Sequence, residues 1–140
     1  MSDAQTLSFT KAQTASRLHT YKVLFIISIL ANLVVGFWCI FDPAGFAHRV
    51  FQLDPYPHAW PRIWGATLLG LQVVYWPGLR NPLFYRWPNW CSIGITLFMS
   101  IIFFSSGHLF YLFALWELCF GVILLVAYYR LLQADIRGNP

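Results

Sequence analysis

Glu117 is the residue with the clearest chemical potential in this chain of 140 residues. It stands in the run from Tyr111 to Phe120, whose other nine members carry no charge. A carboxyl group in an apolar environment can hydrogen-bond to another helix, bind a small ligand or relay a proton. Because no Lys or Arg lies at its predicted depth, and an isolated charge is costly there, the neutral, protonated acid is the simplest state.

Three further polar side chains fall at a similar depth in other predicted spans. With about 1.5 Å of rise per residue, Asn32, Gln72, Ser100 and Glu117 lie roughly 13 to 16 Å from one end of their spans. A hydrocarbon core is about 30 Å thick, so all four approach the midplane. The sequence therefore predicts a polar cluster at the midplane. Its role is to form hydrogen bonds between helices, to bind a ligand or relay a proton, or to contact a partner subunit.

A second group of polar residues is predicted on the outer side. His48, His58 and His108 belong there, and Asp54 lies in the same connection as the first two. Three imidazoles and a carboxylate could bind copper or zinc. The alternative is a set of histidines at the membrane boundary beside aromatic side chains. A bis-histidine haem fits less well, because these histidines stand at helix ends.

The residue patterns that several kinds of chemistry require are absent from the sequence. The three cysteines have no paired spacing, so neither a disulfide framework nor a zinc motif is indicated. No nucleophile–base pair, phosphate loop or pair of carboxylates occurs, which argues against a self-contained enzyme. The sequence contains no basic segment interleaved with aromatic residues, so it gives no indication of nucleic-acid binding. No cofactor is predicted, although contact with quinone or lipid fits the apolar composition.

The elements that must position these residues are membrane helices. The chain is 59% hydrophobic and 10% charged, against roughly 25% charged residues in an ordinary soluble domain. Backbone groups in lipid must be satisfied internally, and no alternating barrel pattern appears. We expect an all-α integral membrane protein with four transmembrane helices, over residues 21–41, 60–76, 90–104 and 108–129. The expected organisation is a polar N-terminal segment (1–19), a transmembrane domain (20–133) and a C-terminal tail (134–140).

The connections and charges predict the topology. Asp42 followed by Pro43 predicts a short outer-loop helix, from Pro43 to about Gln52, between spans one and two. Ser105 to Gly107 alone separate spans three and four, which predicts a tight antiparallel hairpin. Seven of the nine cationic residues fall on one side, which places both termini in the cytoplasm. They are Lys11, Arg17, Lys22, Arg80, Arg86, Arg130 and Arg137.

Short motifs between about residues 36 and 130 resemble the small four-helix bacterial membrane proteins of the DoxX-like kind. In that group an Arg and a Gly open the second helix, an acidic or amide residue plus Pro follows it, and the fourth helix carries an acidic residue. The matching residues are Arg62, Gly65, Asn81, Pro82 and Glu117. Asn81 replaces the more usual acid. The resemblance implies a multi-pass protein of the bacterial inner membrane, of a kind associated in some members with quinol oxidases or redox systems.

Three functions follow, in order of preference. The first is a non-catalytic accessory subunit of a larger membrane complex, one of respiratory or photosynthetic electron transfer, in contact with lipids and other membrane subunits. The second is a stand-alone binder or transporter of a small molecule or quinone, using the midplane site around Glu117. The third is an outer-side metal or haem protein.

Overall fold

The computed structural model describes residues 3–52 and 59–138, with side chains for 11–52 and 59–137. Over these ranges the chain is helical and contains no strand. Five α-helices and one 3-10 turn (His108–Phe110) follow one another. The helices are α1 (Asp3–Phe41), α2 (Pro43–Phe51), α3 (Ala59–Arg80), α4 (Arg86–Ser105) and α5 (Tyr111–Gly138).

The four long helices form a bundle in which each packs against two others. The neighbours run α1–α3–α4–α5 and back to α1, and α2 contacts α1 and α3. Small residues permit the closest approaches. A Cβ atom on Gly65 would lie 2.6 Å from the Gly36 carbonyl oxygen, and one on Gly121 would lie 2.6 Å from the Leu97 side chain. These two glycines therefore set the distances between α1 and α3 and between α4 and α5.

Three helical stretches among the described residues are long and apolar enough to cross a membrane: Lys11–Phe41, Arg86–Ser105 and His108–Arg137. Helix α3 has 22 residues but is not one of them. The exposed surface of the bundle is apolar on several helices. Phe41 (80% exposed) and Leu112 (81% exposed) are examples. Soluble monomeric proteins rarely expose large contiguous apolar patches. The three apolar helices and this surface together indicate a membrane protein.

Helices α1 and α5 extend beyond the spans expected from the sequence. Helix α1 begins at Asp3, inside the expected N-terminal segment, and α5 continues through most of the expected tail. The extensions lie side by side: the Thr14 hydroxyl donates to the Ala134 carbonyl (3.2 Å), and Arg17 Nη1 donates to the Arg130 carbonyl (2.8 Å). No Gly or Pro occurs between residues 3 and 35, so nothing in the chain stops the helix at the membrane boundary.

A buried hydrogen-bond network closes the end of the bundle where α3 stops and α4 starts. Asn89 is fully buried. Its Oδ1 accepts from the Tyr21 hydroxyl (2.9 Å), and its Nδ2 donates to the carbonyls of Pro82 (3.2 Å) and Tyr85 (2.9 Å). The Tyr128 hydroxyl donates to the same Pro82 carbonyl (3.1 Å). The network, which we call the Asn89 network, ties α1, α4, α5 and the link 81–85 together.

Aromatic side chains fill the opposite end and hold α2 against the bundle. The Asp42 carboxylate accepts from the Gly45 amide (2.9 Å), which caps α2, and Gln52 ends it in the left-handed region (φ 54°). The Phe51 ring lies 4.5 Å from Phe110 and 5.3 Å from Phe113 between centroids. This aromatic cluster comprises Trp38, Phe46, Phe51, Trp60, Trp64, Phe103, Phe110 and Phe113.

Asn89→Ala is expected to lower the free energy of unfolding by about 2 to 3 kcal/mol, because the buried Tyr21 hydroxyl loses its acceptor. Asn81→Ala is the matched control: Asn81 is exposed, and its Oδ1 accepts one long hydrogen bond from the Phe84 amide (3.4 Å). We expect a change below about 0.5 kcal/mol for the control. Chemical unfolding in mild detergent measures both, and equal losses would contradict a special role for Asn89.

Candidate functional site

A small cavity lies in the middle of the bundle, where all four long helices contribute a polar side chain. It has a volume of about 90 Å³. Its polar lining includes Asn32 from α1, Gln72 and Tyr75 from α3, Thr96 from α4 and Glu117 from α5. We call it the central cavity. Three of the four residues of the predicted midplane cluster thus line one space.

Two atoms at this cavity are buried and have no partner among the described residues. Gln72 is 6% exposed and Tyr75 is 4% exposed. Gln72 Nε2 donates to the Leu68 carbonyl one turn earlier (2.9 Å), but its Oε1 accepts nothing, and the Tyr75 hydroxyl is unbonded. A buried polar atom without a partner costs about 1 to 3 kcal/mol. Such a pair at one cavity points to a molecule other than this chain, either water or a ligand.

A larger cavity of about 330 Å³ adjoins the central one. Asn32, Trp64, Leu68 and Glu117 line both cavities. The larger one, the side cavity, reaches the exposed Leu112 on α5 and is otherwise apolar and aromatic. Its remaining lining residues are Ala31, Val35, Phe113 and Trp116. The polar centre of the bundle is therefore connected to the apolar surface by an aromatic passage.

Glu117 and Asn32 stand at the junction of the two cavities. Both side chains are half-buried. No hydrogen bond or ion pair reaches either of them from the described part of the chain. Polar groups that only hold helices together normally find a partner across the helix interface. The carboxyl and amide are instead directed at space that a ligand can share.

Ser100 and Tyr75 show where the sequence prediction and the structure differ. Ser100 is buried, but its hydroxyl donates to the Leu97 carbonyl in its own helix (2.7 Å), and it does not line either cavity. Tyr75, which the sequence did not indicate, faces the central cavity instead. It lies three residues after Gln72, so the helical repeat alone would have placed both on one face.

The predicted outer-side metal site is only partly described. Asp54 and His58 lie outside the described residues. His48 in α2 and His108 at the start of the 3-10 turn are exposed. Within the described ranges, no group of three His, Cys, Asp or Glu side chains is close enough to hold a metal ion. The metal site remains a prediction.

Comparisons with family models, with curated proteins and with solved structures find no match for this chain. The resemblance to the DoxX-like group therefore remains a prediction from short motifs. Function has to follow from the residues that line the two cavities.

Tyr75→Phe in delipidated, ligand-free protein is expected to leave the free energy of unfolding unchanged or raise it by up to about 1 kcal/mol, because it removes an unpartnered buried hydroxyl. Tyr128→Phe is the matched control: it removes a hydroxyl that donates to the Pro82 carbonyl, and we expect a loss of about 1 kcal/mol. Unfolding in detergent measures both. Equal losses would show that the Tyr75 hydroxyl is already satisfied within the protein.

Proposed function

We propose that all four long helices cross a bacterial inner membrane, with both termini in the cytoplasm and α2 on the outer surface. Helix α3 is long enough at 22 residues, and its neighbours α1 and α4 are both apolar spans. The cationic side chains gather at the end that carries the Asn89 network: Lys22 Nζ donates to the Arg80 carbonyl (3.1 Å), and Arg86 pairs with Asp135 (3.4 Å). A cationic end on the cytoplasmic side agrees with the positive-inside rule.

Reporter fusions test this topology. Fused after Pro140, alkaline phosphatase should be inactive and green fluorescent protein should fluoresce, because the C-terminus stays in the cytoplasm. A phosphatase inserted in the connection 53–58 should be active. Three spans instead of four would place one terminus outside, so an active C-terminal phosphatase would contradict the proposal.

We propose further that the protein binds a small amphipathic ligand with a quinone-like headgroup at the bundle midplane. The observation that carries this proposal is the pair of buried, unpartnered atoms Gln72 Oε1 and Tyr75 Oη at one cavity. One is an acceptor, and the other can donate. A quinone offers carbonyl oxygens to a donor, and the reduced quinol offers hydroxyl groups to an acceptor, so the site complements either redox state.

The side cavity suits the rest of such a ligand. Its volume of about 330 Å³ is near the lower end of small-molecule sites, which span about 300 to 1,000 Å³. Trp64, Phe113 and Trp116 supply flat faces against which a ring can stack. Leu112 at the surface gives an apolar tail a route toward lipid.

Glu117 in its neutral form can donate a hydrogen bond to the ligand from the junction of the cavities. Its second role in this proposal is proton transfer to or from the ligand; among the described residues it forms no interhelical hydrogen bond. Glu117→Gln separates these roles, because the amide still donates hydrogen bonds but cannot exchange a proton. Binding that survives this change but loses its pH dependence would show that binding is coupled to the protonation of Glu117.

Binding of a short-tailed ubiquinone analogue to the detergent-solubilised protein, measured by calorimetry and by tryptophan fluorescence, tests the proposal. Gln72→Leu combined with Tyr75→Phe should weaken binding by about tenfold or more, because two hydrogen bonds to the headgroup are lost. Tyr129→Phe is the matched control, since Tyr129 is exposed on α5 and lines neither cavity. Equal affinity of the double variant and the control would contradict the site.

A second proposal is the accessory-subunit role in an electron-transfer complex. Outward-facing aromatic residues favour it: Phe37 and Phe41 stack at 6.1 Å between centroids on α1, and both are exposed. Such faces suit contact with partner helices as well as lipid. Purification in mild detergent followed by mass spectrometry tests this role. A stoichiometric oxidoreductase would support it, and a homogeneous preparation of this chain alone would count against it.

A further inference from the structure

A groove between α1 and α5 combines arginine side chains with an apolar wall. It has a volume of about 480 Å³ and lies at the cationic end of the bundle, away from the two cavities. Arg17, Thr20 and Arg130 line its mouth, and Val122, Ile123 and Val126 line its length. The distance along α5 from Val122 to Arg130 is about 12 Å, which is most of the ~15 Å depth of one leaflet's hydrocarbon.

The two arginines are held at the same level and lack a carboxylate partner. Arg17 Nη1 donates to the backbone carbonyl of Arg130 at 2.8 Å, so the two residues meet across the groove. Among the described side chains, neither guanidinium pairs with an acid. Asp135, the acidic side chain nearest in sequence to Arg130, is paired with Arg86. The Arg17 guanidinium therefore lies against the backbone of Arg130, and both arginines line the same apolar groove.

We propose that this groove binds one anionic phospholipid, with the phosphate between Arg17 and Arg130 and an acyl chain along Val122, Ile123 and Val126. Arginine matches phosphate oxygens through its planar fork of N–H donors. Basic pockets between membrane helices on the cytoplasmic side are suited to anionic headgroups, and the proposed topology places this groove in that leaflet. A free phosphate would neutralise the charges but would leave the apolar wall uncovered.

Lipid binding to the full-length protein in detergent, followed by native mass spectrometry, tests the proposal. The probes are phosphatidylglycerol and phosphatidylcholine with identical acyl chains. We expect a preference for phosphatidylglycerol of about tenfold, and Arg130→Gln should reduce it by about fivefold. Arg137→Gln is the matched control, because Arg137 is an exposed cation on the same helix that does not line the groove.

A second pair of variants tests the acyl-chain half of the site. Val126→Trp should fill the groove and weaken both lipids, whereas Ile136→Trp, at an exposed position outside the groove, should weaken neither. Thermal unfolding of each variant shows whether it is folded. The proposal is overturned if Arg137→Gln costs as much preference as Arg130→Gln, if Val126→Trp changes nothing, or if inorganic phosphate displaces the lipid at equal concentration.

Discussion

The packing at one end of the bundle depends on the hydrogen bonds that the side-chain amide of Asn89 forms. A buried amide needs a partner for each donor and acceptor, and Asn89 finds them on α1 and on the link 81–85 that joins α3 to α4. A Cβ atom on Gly78 would lie 2.7 Å from Asn89 Oδ1, so α3 also closes against it. Since lipid offers no substitute hydrogen bonds, any rearrangement of these helices would leave several polar groups unpaired at once.

The middle of the bundle presents the opposite situation. The same chain that satisfies Asn89 leaves Gln72 Oε1 and the Tyr75 hydroxyl without partners. It also leaves Asn32 and Glu117 facing the same space. Buried networks that only stabilise a fold are normally complete. Unpaired polar atoms in the middle of a bundle whose Asn89 network is satisfied, reached by an aromatic side cavity, are the arrangement expected where another molecule supplies the missing partners.

The sequence predicted an all-helical membrane protein because long apolar runs leave few alternatives in lipid. The number of residues to the end of each span also predicted that Asn32, Gln72 and Glu117 lie at a similar depth, because a helix has a fixed rise per residue. The same estimate did not predict the position of the Ser100 hydroxyl, because depth does not determine the direction of a side chain. This hydroxyl donates to a carbonyl of its own helix.

Asn89 was not predicted either. It stands between Pro88 and Trp90 in a stretch that resembles a membrane boundary, and its burial depends on how the link 81–85 folds over it. The extension of α1 was missed for a different reason. Its mostly polar residues give only a weak amphipathic signal, and their support comes from α5, which is more than a hundred residues away in the chain. Only tertiary structure reveals contacts of this kind.

The two ends of the bundle are held by different kinds of force, and this has a mechanical consequence. Hydrogen bonds at the Asn89 end are short-ranged and directional, so they resist both separation and sliding. Ring contacts at the other end, such as those between Phe46, Trp64 and Phe113, vary in tilt and lose little when the rings slip. The Asn89 end therefore holds the helices in a more sharply defined arrangement than the aromatic end does. Trp64 and Phe113 of the aromatic cluster also line the side cavity, so a molecule that enters this cavity meets ring contacts and no hydrogen bond of the Asn89 network.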